Sequence, residues 1–363
     1  MIDTRIKRIL VEEGVTSNAM TKKILKRLDG VPVGKALLHE PHYRSEYLDM
    51  DKETLRLIAF KGEILKPCPG TSGYICCGYR ILHVGTNCPM DCSYCILQAY
   101  FNEPSLRIFV NLEERLECVG EIIDGQPEKI FRIGTGEFTD SLSHDHIAGW
   151  TDILLPFFSG RKNTVLELKT KTDRIEGLLS SQYREQIIVS WSLNSPYICN
   201  REEKGAPSIK SRLRAAKRCQ EEGYTLGFHF DPLIEHANWR EEYTRTLEMM
   251  DNYIDPKGII WVSLGCLRYV PLLKRIIRKR HPGTHILDGE FITGLDGKMR
   301  YFKPIRMVMY SFMAEILKKW HHDLAIYLCM ESDEIWHKSL GWSPKDSDGL
   351  CQFLDGRVRE IFG

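Results

Sequence analysis

The chain has 363 residues, 43% of them hydrophobic, and a formal net charge of +1, which is enough material for one large α/β domain with extensions. It contains no run of about eighteen apolar residues, and charges scatter through its first residues, so neither a membrane span nor an export signal is expected and the chain reads as soluble and cytoplasmic. Twelve cysteines exceed what packing asks for, and in a reducing compartment they favour metal ligation or catalysis over a disulfide framework.

Residues 1–62 read as an N-terminal helical extension, because Ile6, Ile9 and Leu10, then Ile24, Leu25 and Leu28, recur at three- and four-residue intervals. From there short β-branched or aromatic runs at 79–84, 129–134, 164–168, 187–192, 225–230 and 259–264 alternate with helix-like segments such as 111–123, 209–222 and 240–253. This alternation predicts βαβ units around a parallel sheet. Six units fit an α/β fold with a partial (β/α)6 barrel over 63–270. A C-terminal α+β extension, 271–363, opens with a basic helix at 271–280. Gly294-Leu295-Asp296-Gly297 then signals a β-hairpin over 290–302, followed by a helix at 305–320 and a strand at 324–329.

The chemistry concentrates just after the first predicted strand, in Asn87-Cys88-Pro89-Met90-Asp91-Cys92-Ser93-Tyr94-Cys95. Four thiolates saturate a 4Fe-4S cluster, so three in one short loop suit a cluster whose remaining iron binds something else. The loop also sits at the C-terminal end of a strand, where barrel folds place their sites. A structural zinc site or three buried thiols are the alternatives, although zinc motifs normally pair two CxxC units and no second one is present. Cys68, Cys76 and Cys77 lie just upstream. Adjacent Cys76 and Cys77 point to opposite faces of a strand, and packing as small hydrophobes is the simpler reading for them.

CxxxCxxC after the first strand, with an aromatic before the last cysteine, resembles the radical S-adenosylmethionine superfamily. That resemblance implies a 4Fe-4S cluster on Cys88, Cys92 and Cys95. It also implies S-adenosylmethionine as cofactor and an electron donor such as flavodoxin or ferredoxin. Gly134-Thr135-Gly136-Glu137 follows the second strand, where the superfamily places a segment that meets the cofactor's amino group. Glycine permits close backbone approach and Glu137 can accept from an ammonium; a plain β-to-α turn is the alternative. Lys171, just beyond the third strand, and Ser192, at the end of the fourth, are candidates for the cofactor carboxylate; a solvated lysine and a core serine are the alternatives.

Several segments are similar to the spore photoproduct lyase family: 88–98; Phe138-Thr139-Asp140 with Asp145-His146; Ser192-Leu193-Asn194-Ser195-Pro196-Tyr197; and Gly223 to Phe228 with Asp231-Pro232 and Trp239. The resemblance adds Asn194 to the candidate cofactor residues and implies radical repair of a thymine dimer in DNA. It suggests a hairpin wedge carrying Phe291, Tyr301 and Phe302 beside Lys298, Arg300 and Lys303. Lys274, Arg275, Arg278, Lys279 and Arg280 would then meet phosphate; a solvated charged helix and a hairpin packed on the core are the alternative. Tyr94 and Glu137 are the catalytic candidates. Glu137 and Ile96 stand where the lyase carries the cysteine and tyrosine that return hydrogen to product, so that relay does not carry over unless Cys266, Cys76 or Cys77 replaces it. A radical enzyme with a different substrate and a non-catalytic metal-binding module are the competing readings.

Overall fold

The computed structural model describes residues 5–36, 50–71 and 73–363. Its centre is an eight-stranded sheet. Seven of these strands are labelled here β1 Arg80–Leu82, β2 Phe131–Gly134, β3 Thr164–Thr170, β4 Ile187–Ser192, β5 Thr225–Leu233, β6 Ile259–Cys266 and β7 Ile326–Leu328. Each is parallel to the next, and Leu65–Pro67 adds an antiparallel edge to β1. The curled sheet is the partial barrel expected from the alternation. Its first six parallel strands are the six predicted runs. The seventh comes from the C-terminal extension, whose predicted strand completes the barrel sheet.

Being covered on both faces makes these strands continuous apolar runs instead of alternating ones: β4 and β6 are buried at every position. Register brings one polar layer together inside the barrel. Glu167 of β3 accepts from Ser190 Oγ of β4 at 2.5 Å and Trp261 Nε1 of β6 at 3.0 Å, and lies 2.8 Å from His229 Nε2 of β5. Gly227 leaves room for it, since a Cβ there would stand 2.3 Å from Ser190 Oγ.

The N-terminal prediction needs correction. Only Ala19–Arg27 is an α-helix in the described part of 1–62, and 37–49 lies outside the described residues. Arg8–Glu12, Val33–Ala36 and Thr54–Ile58 are parallel strands of a second sheet, which Leu106–Phe109 and Gly85–Thr86 extend. Ile9, Leu10 and Val11 are all buried. A short apolar run covered on both faces carries no period that separates strand from helix. The hairpin forms as expected, with Phe291–Thr293 antiparallel to Met299–Tyr301, and Arg268–Tyr269 pairs on its other side. No described helix is long and apolar enough to cross a membrane.

Candidate functional site

The cysteine loop is less irregular than its sequence implies. Asp91–Cys92 pairs antiparallel with Glu203–Lys204, Glu203 facing Cys92. Ser93 donates its backbone N–H to Glu202 O at 2.8 Å and its hydroxyl to the Glu202 carboxylate. Gln98 closes the loop from the other side, donating from Nε2 to the carbonyls of Cys92, Ser93 and Cys95 at 3.2, 2.9 and 3.2 Å. Lys52 Nζ donates to Cys88 O at 2.5 Å. These bonds tie the loop's backbone to protein groups on both of its sides.

Behind the loop stands Arg212, whose ion pair with Glu203 is fully buried on both sides. Its Nη1 donates to Ser192 O at 2.9 Å and its Nε to Pro207 O at 3.0 Å. Tyr94 donates its hydroxyl to the same Glu203 carboxylate. Burial raises the Glu203 carboxyl, but Arg212 and Lys171 outweigh it and hold the group ionised. Sequence reading missed Glu203 and Arg212, because nothing near the cysteines points to residues more than a hundred positions away.

Cys88, Cys92 and Cys95 all line one cavity of about 400 Å³ at the C-terminal ends of the strands. That volume is within the range of small-molecule and cofactor sites. Tyr94, Ile96, Gly136, Glu137, Lys171 and Ser192 line it too. Two ion pairs border it. Lys169 Nζ is 3.1 Å from Glu137 Oε2, and Arg268 grips Asp231 with two bonds of 3.1 Å. Burial opposes the Lys169 charge, yet Glu137 and Asp231 overcome it and raise the lysine's pKa. Lys171 sits 5.7 Å over the Tyr94 ring; burial again opposes its charge, and Glu203 and Cys92 reverse the effect. Burial pushes the Cys88 thiol up to about 12, with Asp140 adding to the rise, and carries Cys92 well above the usual thiol value.

Two candidates fall outside the cavity. The space beside Gly134 is filled by Tyr79, whose hydroxyl would lie 1.5 Å from a Cβ there, so this glycine answers a packing demand. Asn194 is buried behind the wall, donating to Pro232 O at 2.9 Å and accepting from Tyr243 Oη at 2.7 Å. Cys266 is buried and, like Cys76 and Cys77, does not line the cavity, whereas Cys68 does.

The basic segment also divides. Arg280 bonds Asp91 at 2.8 Å and reaches Gln98, so it braces the cysteine loop instead of facing outward. Arg300 is buried against Asp296 at 2.7 Å and over the Tyr74 ring, and Lys303 pairs with Glu334 at 2.6 Å. Lys298 bonds Thr71 Oγ1 at 2.8 Å on the cavity border. Tyr301 is fully buried and stacks on Phe291 at 4.5 Å. The exposed apolar groups of the hairpin are Ile292, Leu295 and Phe302, with Leu295 at its tip 83% exposed.

A family model described as spore photoproduct lyase matches residues 76–305. The chain belongs to the spore photoproduct lyase family. Among relatives in this family, the spore photoproduct lyase of Geobacillus sp. (strain Y412MC61) is 26% identical over 206 residues, 56% of this chain and 60% of that protein. That of Bacillus subtilis (strain 168) is 27% identical over 209 residues, 56% of this chain and 61% of its own. The chain thus spans about 60% of the length of these curated relatives. A solved spore photoproduct lyase complexed with dinucleoside spore photoproduct superposes with a TM-score of 0.77 at 21% identity, covering 89% of this chain and 98% of that one. At that identity the likeness establishes the fold, and the family's shared barrel is the one described above.

Proposed function

We propose that this chain is a radical S-adenosylmethionine enzyme acting on a DNA or nucleobase lesion. The observation that carries the reading is the convergence of Cys88, Cys92 and Cys95 on one cavity with Glu137, Lys171 and Ser192, in a chain of this family.

The donor set fits a 4Fe-4S cluster better than zinc. A tetrahedral zinc with sulfur at about 2.3 Å needs thiols under about 4 Å apart. Among the described residues, the only three-ligand group with donor atoms within 4.8 Å of one another is His321, His322 and Asp323. The cysteine loop is not among such groups, and three thiolates in one loop leave the fourth iron of a 4Fe-4S cluster open to another ligand. Cys88, Cys92 and Cys95 would hold the cluster. When bound, cluster and S-adenosylmethionine supply the one-electron chemistry that begins hydrogen abstraction, with flavodoxin or ferredoxin as the class of electron donor.

The chain's own residues orient and exclude. Glu137, paired with Lys169 at 3.1 Å, would accept from the cofactor's ammonium. Lys171 and Ser192 face the cavity as partners for a carboxylate. Tyr94 is tied to Glu203 and holds the wall beside Cys95. The exposed hairpin tip, Leu295, supports a wedge that opens a duplex, and Arg278 on the exposed side of the basic helix supports phosphate contact. Glu137 and Ile96 at the relay positions favour a second reading, in which the same radical chemistry serves a different substrate.

The test is anaerobic. The protein is reconstituted, iron and sulfide are counted, and 5′-deoxyadenosine is measured after dithionite and S-adenosylmethionine are added, against a Cys92→Ala control. Four irons and cysteine-dependent deoxyadenosine are expected; zinc, or a cluster that never cleaves the cofactor, would sink the proposal. Conversion of dinucleoside spore photoproduct then separates the two substrate readings.

A further inference from the structure

A series of stacked rings runs from the second sheet to the cavity wall. Phe109 ends a strand of that sheet, and Phe60 stacks on it with ring centroids 4.6 Å apart. His83, directly after β1, stacks on Phe60 at 5.2 Å and 11°, and Phe138, beyond the end of β2, stacks on His83 at 4.8 Å. Tyr100 is the outermost ring, 5.4 Å from Phe138 and inclined to it by 31°, while Phe101 meets both edge-on at 5.5 and 5.7 Å. Burial, with Lys66 adding, brings His83 down to about 4, so it stacks as a neutral ring. Tyr100 and Phe138 both line the cavity, and Tyr100 is 49% exposed, which places its ring at the mouth. Tyr100 ends the short helix Leu97–Tyr100 that follows the cysteine loop. Ile96 lies four residues earlier on the same helical face, also exposed and also lining the cavity. An exposed aromatic beside an exposed aliphatic at a cavity mouth is the kind of surface that binds a partner.

We infer that Tyr100, backed by Phe138, is the platform on which an unstacked base of the substrate rests. The inference deepens the nucleobase reading proposed above and rests on it. A base that enters a cavity of about 400 Å³ must leave the duplex stack and forfeits its contacts with neighbouring bases. An aromatic face restores that contact, and it does so for any base, because every base has a π-face. The rings behind Tyr100 fix its orientation before the base arrives, so little side-chain freedom is lost on binding. The adenine of S-adenosylmethionine offers the same kind of face. The half-exposed position of Tyr100 at the mouth fits a strand arriving from solvent better than a cofactor enclosed beneath it.

The test is equilibrium dialysis of the reconstituted holoprotein against dinucleoside spore photoproduct and, separately, S-adenosylmethionine. Wild type is compared with Tyr100→Phe, Tyr100→Leu and Tyr100→Ala, and deoxyadenosine formation is measured in the wild type. Tyr100→Phe keeps the face and should bind the dinucleoside as wild type does. Tyr100→Leu keeps bulk without a π-face, so it and Tyr100→Ala should bind the dinucleoside roughly five- to a hundredfold more weakly. Their affinity for S-adenosylmethionine should hold. A packing role would instead spare Tyr100→Leu, and dinucleoside affinity retained in that variant overturns the platform. Equal loss from Tyr100→Phe overturns it as well. A matching loss of S-adenosylmethionine affinity overturns it by assigning the face to the cofactor's adenine. Wild type that forms deoxyadenosine yet binds no dinucleoside also overturns the platform, whereas absence of deoxyadenosine from wild type overturns the reading beneath it.

Discussion

Glu203 faces Cys92 across a two-residue antiparallel ladder while its carboxylate carries both Tyr94 and the buried guanidinium of Arg212. The middle cysteine of the loop is therefore positioned by a charge pair that belongs to another part of the chain. Removing one partner of a fully buried pair leaves the other uncompensated, which costs roughly 3–5 kcal/mol. Arg212→Ala should lower stability by that amount in urea denaturation, whereas Arg212→Met with Glu203→Leu should recover most of it. Equal losses from the single and double variants would show that the pair is not what holds the loop.

Glu137 and Lys169 border the cavity as an ion pair. If Glu137 accepts from the cofactor's ammonium, Glu137→Ala removes a charged hydrogen bond of about 1.5–3 kcal/mol. S-adenosylmethionine should bind the reconstituted variant about ten- to a hundredfold more weakly by equilibrium dialysis, with iron content unchanged. Unaltered affinity would reduce the pair to a structural clamp.

The interior carboxylate Glu167 gives a pH signature. Burial alone would raise it, but His229, Ser190 and Trp261 bring it down from 4.5 to about 2. A depressed carboxylate contributes stability that is complete above its unfolded value and is lost as pH falls through the folded one. Wild type should lose this contribution between pH 4.5 and about 2, and Glu167→Gln should be flatter over that window in denaturant titrations. Parallel curves would refute the assignment.

The basic helix and the hairpin make separable predictions about DNA. Arg278→Ala, which removes an exposed cation, should reduce the salt slope of duplex binding by about one unit. Arg280→Ala breaks the brace on Asp91 and Gln98, so its effect should appear as lower iron loading. Leu295→Ser at the exposed tip should weaken binding of lesion-bearing duplex while leaving dinucleoside binding intact. Fluorescence anisotropy at two salt concentrations checks the Arg278 and Leu295 variants, and the iron content of the reconstituted protein checks the Arg280 variant.

What was legible in the sequence followed from local pattern. The six barrel strands are apolar runs bounded by polar turns, and the cysteine loop announces itself by spacing alone; the hairpin is marked by its glycine turn. Tertiary structure decided the rest, because burial and pairing are relations between distant segments. Ile9 to Val11 became a strand only because neighbours cover both of its faces, and 326–328 joined the barrel only because β6 offered it an edge. Gly134 lies in the motif but is claimed by Tyr79. Arg280 and Arg300 have the composition of phosphate ligands and are spent on Asp91 and Asp296. Cys68, unremarkable in sequence, reaches the cavity wall because the edge strand before it pairs with β1. Residue type and spacing determined the chemistry available to this chain, and only the fold's long-range pairing decided which of those groups meet.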